Sequence, residues 1–357
     1  MTGTTPVPPT MTALLLTGPE QVRTAEVPTP ELRPGHCLVA VRYVGLCGTD
    51  LGFWDGSSNY VHDGLKNYPF VPGHEWSGQI VAVAEDIDED IDGDGDGAIH
   101  GVRVGERVAG HNFRPCGTCS QCAEGRIASC PQRSEMGVLG PEPGAAAQFL
   151  HVPAHTLVRL PDEVTDQEAA LLEPCSAAMH AVDRLGITAT DRVAVLGGGT
   201  LGLAAAQLAR ARGAKVALYD PAAPARALAT ELGLDTDPPE NAPHGAFTAV
   251  IEASGAPAAV RATPLLCAHG ARVAQLGTPH HPVDGMPTAE LVLRDITLHG
   301  VLSGIAHWKP LLDAVASGAL RLSPLIDAVL PYDRPRDAYL RLADGGRTRP
   351  KVLLELT

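Results

Sequence analysis

A chain of 357 residues carries 27 Lys and Arg against 41 Asp and Glu, a formal charge of −14, so no nucleic-acid partner is expected, since such a surface needs a basic face. A hydrophobic share of 45% beside 19% charged residues is that of a globular protein with chain enough for about two domains. No membrane partner is expected, because no apolar run reaches the ~18 residues of a span. Without a secretory leader pattern, the eight cysteines are expected in a reducing cytoplasm, as metal ligands or free thiols.

Residues 1–10 are Pro/Thr-rich and are expected to form a disordered extension ahead of Met11. Residues 13–16 and 37–44 read as strands, with Pro30, Pro34 and Gly35 between them and Cys37 as a small buried apolar residue. The second strand runs into Gly45-Leu46-Cys47-Gly48-Thr49-Asp50, and Gly73-His74-Glu75-Trp76 follows further on. Between them stand Phe53, Trp54, Tyr60, Tyr68 and Phe70, which either line a substrate pocket or pack as core, and His62, either lining or surface. Residues 85–99 are strongly acidic. Alternating carboxylates from Asp88 or Asp90 resemble a calcium loop, but the twelfth positions are Ile99 and Gly101, not the bidentate Glu of such loops. The other reading is a solvated hairpin tip between strands at 80–84 and 102–108.

Cys116, Cys119, Cys122 and Cys130 follow at C-x2-C-x2-C-x7-C spacing. Four closely spaced thiols suit a structural tetrahedral Zn2+, with two disulfides as the other reading. Residues 144–153 and 156–160 then close a β-rich, barrel-like domain, and Leu171-Leu172-Glu173-Pro174-Cys175 comes next, with His180 expected to be structural.

Residues 192–196 form a buried strand that enters Gly197-Gly198-Gly199-Thr200-Leu201-Gly202, followed by a helix over 203–212. A second strand at 215–219 ends on Asp220. Strand, glycine turn, helix and terminal acid together make a dinucleotide site. Gly197, Gly199, Thr200, Leu201 and Gly202 would bring the pyrophosphate to the helix N-terminus. Asp220 would accept from the ribose hydroxyls and repel a 2′-phosphate, favouring NAD, with Arg226 beside the adenine. Apolar runs at 249–253, 271–276 and 296–301 continue a doubly wound parallel sheet. A helix at 308–316 and strands at 325–329 and 351–356 end the chain.

The cysteine spacing, G-x-C-G-T-D and G-H-E together resemble the zinc-dependent medium-chain alcohol/polyol dehydrogenases, over essentially everything after Met11 except the acidic insertion. The resemblance implies an α/β fold: a Rossmann doubly wound parallel sheet domain at 176–304, and a β-rich GroES-like catalytic domain, with its structural zinc lobe, at 11–175 and 305–357. It implies two Zn2+ per chain and NAD. It makes Cys47 and His74 ligands of a catalytic zinc, with Glu173 as third ligand because an L-E-P segment stands where related enzymes place a second cysteine; Cys175 is the other candidate. Glu75 is then an alternate ligand, a carboxylate behind the ligands, or a salt-bridge partner. Thr49 hands on the substrate proton or, failing that, caps a helix. The family often has a histidine where this chain has Gly52. That departure and the Trp after His-Glu point toward cyclitol or aminocyclitol dehydrogenases. The implied reaction oxidises a secondary alcohol of a polyol, cyclitol or aminocyclitol to a ketone. A threonine-type amino-alcohol dehydrogenase and a non-catalytic dinucleotide-binding protein are the alternatives. Family analogy also implies a homodimer or homotetramer, with a small-molecule alcohol as the other partner.

Overall fold

The structure is a computed structural model that describes residues 7–87 and 101–356. Most of the acidic 85–99 segment, and with it the calcium-loop reading, lies outside the described residues. The chain divides into two compact units. The first holds the described residues up to Glu173, then Ala328–Gly345 and the C-terminal strand from Lys351; the second holds Pro174–Asp327 and Gly346–Pro350.

The first unit is β-rich. Its main sheet runs Ile326–Pro331, Lys351–Glu355, His36–Leu46, Glu75–Val83, Arg107–Gly110, Leu157–Arg159, with Phe149–Pro153 also paired to His36–Leu46. His36–Leu46 is central because its apolar residues are buried on both faces, Leu38, Val39, Val41, Val44 and Leu46 all at 3% exposure or less. It runs antiparallel to Glu75–Val83 with Gly45 opposite Glu75, which sets Cys47 and His74 at adjoining strand ends. The C-terminal strand joins the other edge of the same strand, Val352 opposite Leu46.

The hairpin Thr10–Gly18/Gln21–Pro28 lies ahead of this sheet, its first strand starting at Thr10 opposite Pro28. Ordered structure thus begins inside the expected disordered extension, because Thr10 still has a ladder partner. Phe53, Trp54 and Phe70 belong to the packed core, with Phe53 edge-on to Phe70 and Trp54 stacked on Tyr339; His62 is exposed. Cys37 is fully buried, and burial pushes its thiol up to about 12.

The second unit is a six-stranded parallel sheet in the order Asp235–Asp237, Lys215–Tyr219, Arg192–Leu196, Phe247–Glu252, Cys267–Gln275, Thr297–Gly300. Relative to sequence this is 3-2-1-4-5-6, with the reversal beside Arg192–Leu196, the place where open α/β sheets bind nucleotides. The second unit extends past residue 304, where the return to the catalytic domain was expected, to Asp327. Gln207 explains part of this: its amide both donates to the Arg321 carbonyl and accepts from the Arg321 N–H. Arg349 likewise pairs with Glu231, which holds residues 346–350 to this unit.

Candidate functional site

The strand that ends at Leu46 hands over to a helix, Gly48–Asp55, and Cys47 is its N-cap. The Thr49 N–H donates to Cys47 Sγ at 3.3 Å, and the Cys47 N–H donates to Asp50 Oδ2 at 3.0 Å. This reciprocal cap fixes the thiol at the head of the helix. It also removes the alternative for Thr49, since the capping side chain is that of Cys47.

His74 Nε2 stands 3.4 Å from Cys47 Sγ. One tetrahedral ion with Zn–S about 2.3 Å and Zn–N about 2.0–2.1 Å holds such ligands roughly 3.5 Å apart. Behind it, His74 Nδ1 faces Asp50 Oδ2 at 4.0 Å, and Asp50 is fully buried. At that distance the two groups interact through charge alone, and among the described residues His74 Nδ1 has no hydrogen-bond partner. Asp50 was not foreseen from the sequence, although its signal was present: an acid at the third helical position after a capping residue that is itself a ligand candidate.

Glu75 lies beside both residues. Ligand atoms of Cys47, His74 and Glu75 all lie within 4.8 Å of one another, whereas Glu173 is not in that group. Glu173 instead occupies the first turn of the helix Leu172–Arg184. Burial raises its carboxyl to about 7, with the His74 charge pulling it down and Glu75 pushing it up, so it faces the same group electrostatically. Burial also raises the Cys47 thiol; a cation among these groups favours their ionised forms.

Glu75 is itself committed. Its Oε2 accepts from Lys351 Nζ at 2.5 Å, and the two residues are 1% and 2% exposed. Lys351 also donates to the Leu46 carbonyl. Room for this carboxylate depends on Gly45, where a Cβ would lie 2.4 Å from Glu75 Oε2. Lys351 was unforeseen because it lies in an apolar C-terminal strand, 276 residues from its partner.

The four lobe cysteines come together as their spacing requires. Sulfur separations are 3.5 Å for Cys119–Cys122, 3.8 Å for Cys119–Cys130 and 3.9 Å for Cys116–Cys122. A tetrahedral ion with bonds of about 2.3 Å places sulfurs about 3.8 Å apart. All four are free thiols, so the disulfide reading falls.

In the second unit, Gly197 adopts φ +105°, and Gly199 is the N-cap of the helix Thr200–Ala211 with no side chain capping it. A Cβ on Gly202 would meet the Gly197 carbonyl oxygen at 1.9 Å, while one on Gly199 would meet nothing within 4 Å. Helix and strand therefore pack as closely as glycine permits, and open space lies before the helix N-terminus, which fits a pyrophosphate. Thr200 and Leu201 form the first helical turn. Asp220 Oδ2 accepts from the Gly198 N–H at 2.6 Å and Oδ1 from the Ala222 N–H at 2.7 Å, so it shapes the glycine turn. Arg226 Nη1 donates to the Asp220 and Pro221 carbonyls, which ties it to the backbone.

Comparison with known proteins adds to this geometry. The family profile "Alcohol dehydrogenase GroES-like domain" matches residues 33–162, and "Zinc-binding dehydrogenase" matches 200–317. L-threonine 3-dehydrogenase of Pectobacterium carotovorum subsp. carotovorum is 31% identical over 306 residues, 82% of this chain and 83% of that one. Sorbitol dehydrogenase of Bombyx mori is 28% identical over 367 residues, 96% and 98% of the two chains. A Sinorhizobium meliloti 1021 structure, assigned as a zinc-binding dehydrogenase and solved with NADP, superposes with a TM-score of 0.85 at 28% identity. That match covers 97% of this chain and 99% of the other.

Proposed function

The chain belongs to the zinc-dependent medium-chain alcohol/polyol dehydrogenases, enzymes that use NAD(P) on small-molecule alcohols, and on that premise we propose that it oxidises a secondary hydroxyl of a polyol, cyclitol or aminocyclitol to a ketone, reversibly and with NAD. The observation that carries this reading is the Cys47–His74–Glu75 group, whose ligand atoms fall within 4.8 Å of one another on a cap built by Asp50. When bound, zinc supplies the Lewis acidity that lowers the alcohol pKa toward neutrality, and NAD supplies the hydride acceptor. Cys47 and His74 hold the metal. Glu75 and Glu173 are the two carboxylates available as a further ligand, and the Lys351 ion pair makes Glu75 the costlier one to recruit. Asp50 holds Cys47 by accepting from its N–H and favours the charged form of His74 across 4.0 Å. The Thr49 hydroxyl takes the substrate proton and passes it outward, to water or a ribose hydroxyl, because Gly52 offers no imidazole for the next step.

In the second unit, Gly197, Gly199, Thr200, Leu201 and Gly202 receive the pyrophosphate, and Asp220 selects NAD by accepting from the ribose. Arg226 keeps Asp220 in place through the backbone. We further propose a homodimer or homotetramer: among the described residues the strand Thr297–Gly300 forms the outer edge of its sheet, and Val292, Leu293, Leu298 and Leu302 near it are 81%, 71%, 43% and 51% exposed.

A second reading rests on the L-threonine 3-dehydrogenase relatives, which makes an amino alcohol such as threonine the competing substrate. NADH formation across a panel of polyols, cyclitols, aminocyclitols and threonine, with and without a chelator, decides. Chelator-sensitive turnover of a cyclitol or aminocyclitol supports the first reading. Turnover of threonine alone keeps the chemistry and replaces the substrate.

A further inference from the structure

A cavity of about 370 Å³ lies within the first unit, away from the residues described above. One wall is apolar, formed by Met11, Val27, Val71, Met136, Phe149 and Leu150. The lining also carries polar side chains: Arg33, His36, Arg114, Glu142 and His151. Such a division, mostly apolar with a few convergent polar groups, is that of a small-molecule site.

Two of its donors lack an oxygen acceptor. Arg114 spends Nη1 on the carbonyls of His111 and Phe113, but among the described residues its Nη2 reaches only the Met136 sulfur, at 3.9 Å. The His151 ring stacks on His36 at 4.3 Å, and its buried Nε2 has no hydrogen-bond partner. The His36 Nδ1 donates to the Pro34 carbonyl, so that ring is already oriented. Buried donors without acceptors are costly and uncommon.

The charge around them is positive in a protein that is strongly negative overall. Among the described residues that line the cavity, Arg33 and Arg114 face a single carboxylate, Glu142, whose buried Oε2 has no hydrogen-bond partner. Glu142 is drawn electrostatically to Lys66 as well as Arg114, so its charge is more than matched. Burial, then the charges of His36, Arg33 and Arg114, hold His151 down to about 4. It is therefore neutral near pH 7, and in the tautomer protonated at Nε2 it offers a donor there.

We propose that this cavity binds an organic monocarboxylate with an apolar body, its carboxylate accepting from Arg114 Nη2 and His151 Nε2 and its body lying on the Phe149, Val71 and Met136 wall. The site is separate from the alcohol and dinucleotide sites and stands whether or not the proposed substrate is right. A carboxylate supplies the two missing acceptors and balances the excess cation, while the apolar wall rewards a body of several carbons over formate or acetate.

The test is calorimetric titration of the zinc-loaded full chain with hexanoate, hexanol and hexylamine, three probes of similar body and different head. Hexanoate is expected to bind with Kd on the order of 1 mM or tighter, as befits so small a ligand, and the other two at least tenfold more weakly. His151→Ala and Arg33→Ala, the latter at an exposed residue, should each weaken hexanoate at least fivefold while leaving NADH affinity unchanged. Equal binding of hexanol and hexanoate would make the cavity merely apolar. Preference for hexylamine would make Glu142 the recognising group. Either result overturns the proposal, as does hexanoate binding that both variants leave intact, or no binding at all.

Discussion

Lys351→Met tests how the metal site is held from behind. At 2.5 Å two unit charges attract by ~7 kcal/mol in an effective dielectric near 20. Desolvating the two ions costs several kcal/mol each, so the pair as a whole contributes little. Removing one partner is different, because the carboxylate of Glu75 stays 1% exposed without its cation, a loss of about 3–5 kcal/mol. With a urea slope of about 3 kcal/mol per M, the first unit should unfold at a midpoint roughly 1–2 M lower. Circular dichroism against urea, with zinc content measured alongside, follows this directly. The double variant Lys351→Met/Glu75→Gln removes both charges and should recover at least half of the loss. A single variant within about 0.3 M of the parent, or a double variant no better than the single, would refute the reasoning.

Gly202→Ala should abolish NADH binding measured by fluorescence, because its Cβ would sit 1.9 Å from the Gly197 oxygen and push the helix off the strand; retained affinity would show that the packing has slack. Asp220→Asn keeps an acceptor at the glycine turn but removes the charge, so the preference for NAD over NADP should fall about tenfold or more, read from kcat/KM with each cofactor. An unchanged ratio would remove Asp220 as the selector. Burial, then the Arg114 charge, lowers His111 to about 3. The folded state therefore binds fewer protons than the unfolded one below pH ~6.5, and stability should decline as pH falls from there toward 3, by up to about 1.4 kcal/mol per pH unit. His111→Phe should flatten that decline in urea titrations at pH 7, 5.5 and 4.5.

The sequence made the two chemistries legible because each is written in local spacing. Four cysteines within fifteen residues, and glycines placed between an apolar strand and a helix, constrain geometry before any tertiary contact is known. The helix Trp308–Ala316 was legible for the same reason, from its apolar periodicity. Contacts far apart in sequence were not. Lys351 looks like the surface end of a strand until Val352 is seen opposite Leu46. The strand Asp235–Asp237 carries two acids in three residues and no apolar signal; pairing to Lys215–Tyr219 alone makes it a strand. Of the two carboxylates expected near the metal, Glu75 is brought beside Cys47 and His74 by its place opposite Gly45 in the ladder, while Glu173 approaches the same group from the helix Leu172–Arg184 and interacts with the charges of His74 and Glu75.

Cys47 and His74 are proposed to hold a metal essential to turnover, apart from the one proposed for the four-cysteine lobe. Zinc content of the purified protein and of Cys47→Ser, measured by atomic emission beside NADH affinity and turnover, tests it most directly. Two zincs per chain should fall to one, with turnover lost and NADH affinity nearly unchanged. Two zincs and retained turnover in Cys47→Ser would contradict it.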